Sequence, residues 1–175
     1  TLVGDTLVTT VMSNMGLRKA MGEHNITVVE TAVGDRYVLE ELERTGARLG
    51  GEQSGHVILT DHSTTGDGIL TGLQLAREVL RTGRTLADLA DQIEIFPQVL
   101  RNVPGVDRSA LEDNEVVQSA IGDASRELGD SGRVMVRASG TEALIRVMVE
   151  ASDQATAERI ADQVADVISV ELVLP

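Results

Sequence analysis

The apolar positions in the first half of the chain predict alternating strands and helices. Two β-branched runs, at residues 7–12 and 26–30, are typical of buried strands. Between them Asn14 can cap a helix over residues 15–23, and apolar residues at helical spacing predict another helix at 36–44. This order of elements predicts an α/β domain, in which a mixed sheet with some parallel pairing has flanking helices.

The rest of the first half contains a loop, a strand and two more helices. The glycines at residues 50–51 are predicted to open a loop, and residues 56–60 form the next strand. Thr64 and Asp67 have the spacing of a capping box before a long helix, and a short helical run follows at 86–92. The long helix has one apolar face, made of Ile69, Leu73, Ala76 and Leu80.

The pattern changes where Pro97 and Pro104 enter an otherwise apolar run. Because proline cannot donate a hydrogen bond within a central ladder, this run is predicted to be an edge strand or a hinge. We therefore expect one domain at residues 1–95, a second at 96–175 and a hinge near 96–104.

Two strands with clean alternation dominate the second half. They flank a hairpin-sized segment at residues 138–143, and amphipathic helices are predicted at 114–128 and after Asp153, with a last strand at 172–174. The alternation predicts an apolar face, opposite a second face that carries Arg133, Met135, Arg137, Leu144, Arg146, Met148 and Glu150. The second domain is thus expected to be a smaller α+β domain, an antiparallel sheet with helices on one face.

Composition narrows the possible partners. The 175 residues carry a formal net charge of −13, which disfavours nucleic acid and anionic membranes as partners. The chain has no Cys, so disulfide and thiolate chemistry are excluded and a reducing compartment is favoured. Because neither a membrane-spanning run nor a signal peptide is visible, we expect a cytoplasmic protein. The chain has no initiator Met and begins just before a strand-like run, so we expect it to be a piece of a longer protein.

The turn between the two alternating strands carries groups that can bind phosphate. A phosphate needs a fixed guanidinium, hydroxyl donors and a set of backbone N–H groups. These are offered by Arg137, Ser139, Gly140 and Thr141. Strand alternation places Arg146 on the same sheet face as Arg137, although the register of the hairpin is not fixed by the sequence. The alternative is a polar turn with two solvated arginines.

A second candidate is the glycine-flanked segment at residues 51–56. Its Glu52 can accept two sugar hydroxyl protons, and Ser54 and His56 can each donate or accept. The glycines allow the backbone to approach a ligand closely. In the alternative interpretation, this segment is a turn in which His56 starts a strand and packs.

Other polar residues have simpler explanations. Asp35 can cap the helix that follows it, Arg36 can be solvated, and Asp67 can cap the next helix. Three scattered His, no Cys and no dense carboxylate cluster provide no metal-site spacing, so no metal ligand is expected in this chain.

Five segments, taken in order, resemble the phosphoglucosamine mutase branch of the α-D-phosphohexomutase family. They are VMSNMGL (11–17), VGDRYVLE (33–40), GEQSGHVIL (51–59), TTGDGI (64–69) and RASGTEALIRVMVE (137–150). The segments cover nearly the whole chain, and the combination of GEQSGH with RASGTE is typical of the glucosamine branch. Ala143 stands where many relatives have Pro, which loosens the exit of the turn but removes no donor.

The resemblance implies a four-domain enzyme of which this chain is domains three and four. The first domain would carry a phosphorylated Ser and the second a Mg²⁺ loop. Neither motif occurs here, so no catalytic or metal-binding residue is expected, and the isolated chain should be inactive. The full enzyme would interconvert glucosamine 6-phosphate and glucosamine 1-phosphate through an activating glucosamine 1,6-bisphosphate. Its partners would be the sugar phosphate and the missing N-terminal domains, with no nucleic acid and no membrane.

The resemblance also implies substrate-binding roles for particular residues. Sugar hydroxyls would bind Glu52 and Ser54, with His56 in the same loop. The non-reacting phosphate would bind a turn and its supporting strand, formed by Arg137, Ser139, Gly140, Thr141 and Arg146. Asp35 and Arg36 would lie in a third active-site loop. Three alternatives are another phosphohexomutase, a non-catalytic sugar-phosphate-binding module and a structural interaction domain.

Overall fold

The computed structural model of the protein describes residues 2–174. The chain divides into two compact units between Ile95 and Phe96. The first unit has a mixed sheet with helices, and the second has an antiparallel sheet with helices, so the predicted fold class is confirmed for both. No helix within residues 2–174 combines the length and the hydrophobicity needed to cross a membrane.

The first unit is built on a four-stranded sheet in the order β2-β1-β3-β4. Strand β1 pairs in parallel with β2 and β3, and β3 pairs antiparallel with β4. The strands are β1 (Thr6–Thr10), β2 (Thr27–Thr31), β3 (Leu49–Gly51) and β4 (Val57–Leu59).

Four helices accompany this sheet. Helix α1 is capped by Asn14, whose side chain accepts from the N–H of Gly16, and α2 ends at Gly46 with a left-handed backbone (φ 73°). The buried core is formed by Val8, Val38, Leu42, Ala47 and Ile58. The helices are α1 (Met15–Glu23), α2 (Asp35–Thr45), α3 (Gly68–Thr82) and α4 (Leu86–Ala90).

Gly50 and Gly51 form a strand, so their prediction as a loop was wrong. A Cβ at Gly50 would lie 2.7 Å from Cγ1 of Val38, and one at Gly51 would lie 2.8 Å from the carbonyl oxygen of His56. The strand therefore exists because these residues lack side chains, which lets α2 and β4 pack closely against β3. Glycine's usual association with loops concealed this strand in the sequence.

The predicted apolar face of α3 exists, but it faces solvent. Ile69 is 80%, Leu73 65% and Leu80 84% exposed. The helix is capped by Asp67, whose carboxylate accepts from the N–H groups of Ile69 and Leu70, as predicted. The predicted capping box with Thr64 was wrong, because the helix starts at Gly68 and Asp67 itself occupies the capping position.

The second unit is a three-stranded antiparallel sheet in the order β5-β7-β6. Strand β5, which ends at Pro104, lies at the edge of the sheet, as the edge-strand interpretation expected. The predicted last strand is reduced to one bridge, between Val173 and Val106. The elements are β5 (Gln98–Pro104), α5 (Glu115–Leu128), β6 (Gly132–Ala138), β7 (Leu144–Ala151) and α6 (Gln154–Glu171).

The sheet of the second unit has one apolar and one polar face. Its apolar face packs on α5 and α6 through fully buried aliphatic side chains such as Val147, Val149 and Ile160. The other face carries the alternating polar residues, as predicted. At one end of it the buried Glu150 accepts a hydrogen bond from Arg133 at 2.6 Å. At the other end lie two arginines, at the turn between β6 and β7.

Candidate functional site

Arg137 and Arg146 are directly opposite each other on β6 and β7. Since opposite residues of an antiparallel pair project to the same side of the sheet, both guanidinium groups belong to its polar face. Both side chains are half-buried. The predicted shared face is therefore confirmed, and the register adds that the two arginines are nearest cross-strand neighbours.

The two guanidinium groups differ in their partners. Arg146 forms an ion pair with the carboxylate of Glu142, while its buried Nε has no hydrogen-bond acceptor. The side chain of Arg137 makes no hydrogen bond or ion pair with any residue that the structure describes. This end of the sheet therefore has more positive charge and more hydrogen-bond donors than acceptors. The excess costs free energy, because a buried donor without an acceptor is destabilising.

The turn that follows Arg137 is held by its own hydrogen bonds. The N–H of Ser139 donates to the carbonyl of Leu144 at 3.0 Å, and the Ser139 hydroxyl oxygen accepts from the N–H of Glu142 at 3.2 Å. Ser139 is only 3% exposed. Its hydroxyl therefore stabilises the turn here, and a role as a phosphate ligand stays a prediction.

Three N–H groups of the same turn have no acceptor within residues 2–174. They belong to Gly140, Thr141 and Ala143, all of which are exposed. A short run of unpaired N–H groups beside a guanidinium is an arrangement suited to an anion. The turn therefore supplies backbone donors as well as the predicted side chains.

Arg108 also contacts this turn, which no sequence pattern had indicated. One terminal nitrogen of Arg108 (Nη1) donates to the carbonyls of Ser139 at 2.5 Å and Glu142 at 2.7 Å. Arg108 lies on a short 3₁₀ turn, Arg108–Ala110, well before β6 in the chain. Because no local pattern links residues so far apart, only the fold reveals this contact.

The second candidate loop joins β3 to β4 and contains a connected set of polar side chains. Ser54 Oγ lies 2.9 Å from Glu52 Oε1 and 2.9 Å from Nδ1 of His56. The loop closes through the N–H of Glu52, which donates to the carbonyl of His56, and Gly55 adopts a positive φ of 94°. The predicted grouping of these three side chains is observed.

These contacts fix the hydrogen positions in the loop. A carboxylate can only accept, so the single hydroxyl proton of Ser54 is donated to Glu52. Nδ1 of His56 must then donate to Ser54 Oγ, which leaves Nε2 available to a ligand. The Glu52 side chain is 12% exposed, whereas that of His56 is 54% exposed. The loop thus presents a fixed, largely sheltered carboxylate, whose second oxygen accepts no hydrogen bond from residues 2–174.

The third candidate loop differs from the expectation for Asp35. Gly34 (φ 135°) occupies the capping position of α2, and Asp35 is its first helical residue, so the prediction that Asp35 caps the helix was wrong. Its carboxylate accepts from the N–H of Arg36 at 2.8 Å. The Arg36 side chain pairs with Glu40 at 2.8 Å, and this hydrogen bond raises the pKa of the guanidinium. Both Asp35 and Arg36 are exposed.

Among residues 2–174, no group of three or more His, Asp or Glu side chains is arranged to hold a metal ion.

Two domain-family models match nearly the whole chain. The model described as phosphoglucomutase/phosphomannomutase, alpha/beta/alpha domain III, matches residues 1–96. The model described as phosphoglucomutase/phosphomannomutase, C-terminal domain, matches residues 100–167.

Curated relatives are similar over the same length. The phosphoglucosamine mutase of Clavibacter sepedonicus is 56% identical over 173 residues, and that of Leifsonia xyli subsp. xyli is 58% identical over 168 residues. These matches cover 99% and 96% of this chain but only 38% and 37% of the relatives. The chain therefore spans less than two fifths of their length.

Solved structures share the fold at lower identity. The N-acetylphosphoglucosamine mutase of Aspergillus fumigatus in complex with glucose 1,6-bisphosphate has a TM-score of 0.81 at 19% identity, covering 97% of this chain and 39% of that one. The same enzyme in complex with GlcNAc-6P and magnesium has a TM-score of 0.79 at 18% identity, covering 96% and 39%. The chain belongs to the phosphoglucomutase/phosphomannomutase family and corresponds to domains III and IV of the phosphoglucosamine mutases.

Proposed function

We propose that this chain is the C-terminal half of a phosphoglucosamine mutase, and that it binds both the hydroxyls and the non-reacting phosphate of the sugar phosphate. The full enzyme would interconvert glucosamine 6-phosphate and glucosamine 1-phosphate through glucosamine 1,6-bisphosphate and a phosphoserine. The observation that carries the proposal is the unpaired guanidinium of Arg137, which faces Arg146 beside a turn with free N–H donors.

The phosphate role of this turn follows from local charge in an acidic chain. A net charge of −13 repels a phosphate at long range, so binding requires a concentrated set of donors. The planar guanidinium of Arg137 can donate two parallel hydrogen bonds to a phosphate dianion. Gly140 and Thr141 add backbone N–H groups that break no existing hydrogen bond when they bind the anion. Arg146 is engaged by Glu142, and an incoming phosphate would compete for it.

The loop at Glu52 suits the sugar rather than the phosphate. Its carboxylate would repel an anion, but it can accept protons from two neighbouring hydroxyls. Ser54 and His56 hold that carboxylate in one orientation, so less conformational entropy is lost when the sugar binds. The bisphosphate must turn around between the two phosphoryl transfers. A carboxylate can accept hydrogen bonds from the sugar hydroxyls in both orientations of the bisphosphate.

Phosphoryl transfer itself is assigned to residues outside this chain. The phosphoserine and the Mg²⁺ ligands would lie in the preceding domains, and Mg²⁺ would neutralise charge on the transferred group. The residues here would position the reactive end by holding the other end of the molecule. We therefore expect no mutase turnover from the 175 residues alone. Separately, we propose a hinge near residues 96–104 and a cytoplasmic location for the full enzyme.

Ligand titration of the purified chain, monitored by ¹H–¹⁵N NMR, tests this proposal. Glucosamine 6-phosphate should shift the amide signals of Gly140, Thr141 and Glu52, with weak affinity because the site is incomplete. Inorganic phosphate should shift only the first two. The Arg137→Ala variant should lose both responses, whereas Arg126→Ala, which removes an exposed arginine of the same unit, should retain them.

Two results would refute the proposal. One is a chain whose amide signals at this turn do not respond to glucosamine 6-phosphate at high millimolar concentration. The other is mutase turnover by the pure chain, because turnover would place the phosphoryl chemistry within these residues.

A further inference from the structure

Arg108 hydrogen-bonds the phosphate turn through two of the backbone carbonyls of that turn. Its Nη1 donates to two backbone oxygens, those of Ser139 at 2.5 Å and Glu142 at 2.7 Å. A terminal guanidinium nitrogen carries two hydrogens, so one nitrogen can serve both carbonyls. The arginine therefore clasps the two ends of the turn on one side.

Peptide geometry transmits this contact to the opposite side of the turn. No cis peptide bond occurs in the structure, and in a trans peptide the C=O and the following N–H point in opposite directions. With the Ser139 carbonyl held by Arg108, the N–H of Gly140 points away from Arg108. The Glu142 carbonyl is held by Arg108 and by the N–H of Leu144 at 2.9 Å, and it likewise directs the N–H of Ala143 away from Arg108. These are two of the three N–H groups that have no acceptor.

The same contact removes a source of repulsion. A backbone carbonyl that turned toward a bound phosphate would repel it, and its N–H would be lost as a donor. We propose that Arg108 is a positioning residue that orients the turn at residues 139–143 for anion binding without touching the anion. This inference rests on the proposed function, because it names how the phosphate turn of that site is held.

The backbone around Arg108 is fixed independently of any ligand. The N–H of Asp107 donates to the carbonyl of Leu172 at 2.7 Å, and Val106 is buried and bridged to Val173. The Asp107 carboxylate also accepts from the N–H of Ser109 at 2.9 Å. Arg108 thus extends from a segment attached to the end of α6, and none of these contacts involves the phosphate turn.

Three substitutions in the complete chain separate this role from a purely structural one. Arg108→Met removes the donors, Arg108→Gln keeps a neutral donor, and Arg108→Lys keeps the charge. Because a single nitrogen of Arg108 contacts both carbonyls, an ammonium can replace it. The probe is inorganic phosphate. Its affinity is measured from the chemical-shift changes of the backbone amides, at a temperature well below the melting temperature of each variant. Arg126→Met is the matched control.

We expect Arg108→Met to bind phosphate about tenfold more weakly and Arg108→Lys to restore affinity to within about threefold of the unmodified chain. Phosphate should move the Gly140 and Ala143 amide signals downfield in the unmodified chain and in Arg108→Lys, but not in Arg108→Met. A merely structural role would lower the melting temperature of Arg108→Met and leave its phosphate affinity unchanged. If Arg108→Met does not fold, Arg108→Ala, which also removes the donors, takes its place with the same expectation. Arg108→Gln should bind phosphate with an affinity between those of Arg108→Met and Arg108→Lys.

The two proposals fail in different ways. If the unmodified chain binds phosphate, Arg137→Ala abolishes binding and folded Arg108→Met binds normally, the positioning role is wrong and the phosphate turn stands. If the unmodified chain does not bind phosphate at the turn, both are wrong.

Discussion

Arg137 and Arg146 face each other across neighbouring strands, and among residues 2–174 only the carboxylate of Glu142, on Arg146, forms an ion pair with either of them. Like charges placed directly opposite each other in a sheet destabilise it. A protein selected for stability alone would have a reason to replace one of them. The pair is explained if the chain accepts a local cost in stability in order to bind an anion.

Replacing Arg137 with Met should therefore separate stability from binding. Without ligand, the free energy of unfolding should stay the same or rise by about 0.2–1 kcal/mol, because the like-charge contact is removed. Phosphate should stabilise the unmodified chain against urea but not this variant. The proposed binding role also predicts that Arg137→Ala weakens substrate binding by the full enzyme by about 1.5–3 kcal/mol. A large loss of stability in Arg137→Met without ligand would contradict this account.

Glu52→Gln should affect the sugar and spare the phosphate. The amide oxygen can still accept from Ser54, so the loop keeps its shape while the negative charge is lost. Affinity for glucosamine 6-phosphate should fall by about 1 kcal/mol, the difference between a charged and a neutral acceptor, with affinity for inorganic phosphate unchanged. The control is Glu43→Gln, at an exposed position on α2. Equal losses for both ligands would argue against a sugar contact by Glu52.

Gly50→Ala should destabilise the first unit through overpacking. The new Cβ would lie 2.7 Å from Val38 and 3.0 Å from the carbonyl oxygen of Val8, and the backbone atom cannot rotate away. We expect a loss of about 1–3 kcal/mol in urea unfolding. Gly22→Ala, on α1, meets no atom within 4 Å and should instead gain up to about 1 kcal/mol. Equal changes in the free energy of unfolding for Gly50→Ala and Gly22→Ala would contradict the close packing of Val38 and Val8 around Gly50.

The cap of α6 should contribute a pH-dependent part of stability. The N–H of Thr156 donates to the Asp153 carboxylate, and this bond lowers the pKa of Asp153 below its ordinary value of 3.8. A lowered pKa means that the stabilisation is fully present above 3.8 and is lost as the pH falls through the folded-state value. In Asp153→Asn, which can still cap, this part of the acid dependence should disappear. Urea unfolding of both proteins, compared between neutral and acidic pH, measures it, and parallel pH profiles would count against the cap as the cause.

Local patterns were enough to predict the parts of the structure that depend on neighbouring residues. The cap at Asn14 and the alternation in β6 and β7 follow from spacings of a few residues, and both are observed. The motifs of the two candidate loops also followed from sequence, because their polar groups lie close together in the chain. The fold class was accessible for the same reason, since the order of the elements limits the ways in which they can pack.

The features that could not be predicted depend on distant contacts. The clasp of Arg108 on the turn joins residues 31 and 34 positions apart, and no periodicity marks it. The exposure of Leu73 and Leu80 on α3 was also hidden, because an amphipathic pattern does not say what its apolar face meets. The N-cap position of α2 is occupied by Gly34 and not by Asp35. The positive φ of Gly34 was not predictable from the local pattern of polar residues.

The closely packed glycine strand next to Glu52 affects how mutational data on this region should be interpreted. Every amino-acid replacement of Gly50 or Gly51 adds side-chain atoms where neighbouring atoms already occupy the space. A saturation library scored by sugar-phosphate binding would therefore show a continuous intolerant block from residue 50 through Glu52 if Glu52 has its proposed role, although its members would fail for unrelated reasons. Measuring protein abundance alongside binding would separate them, because the glycine variants should disappear from the folded fraction and the Glu52 variants should remain in it.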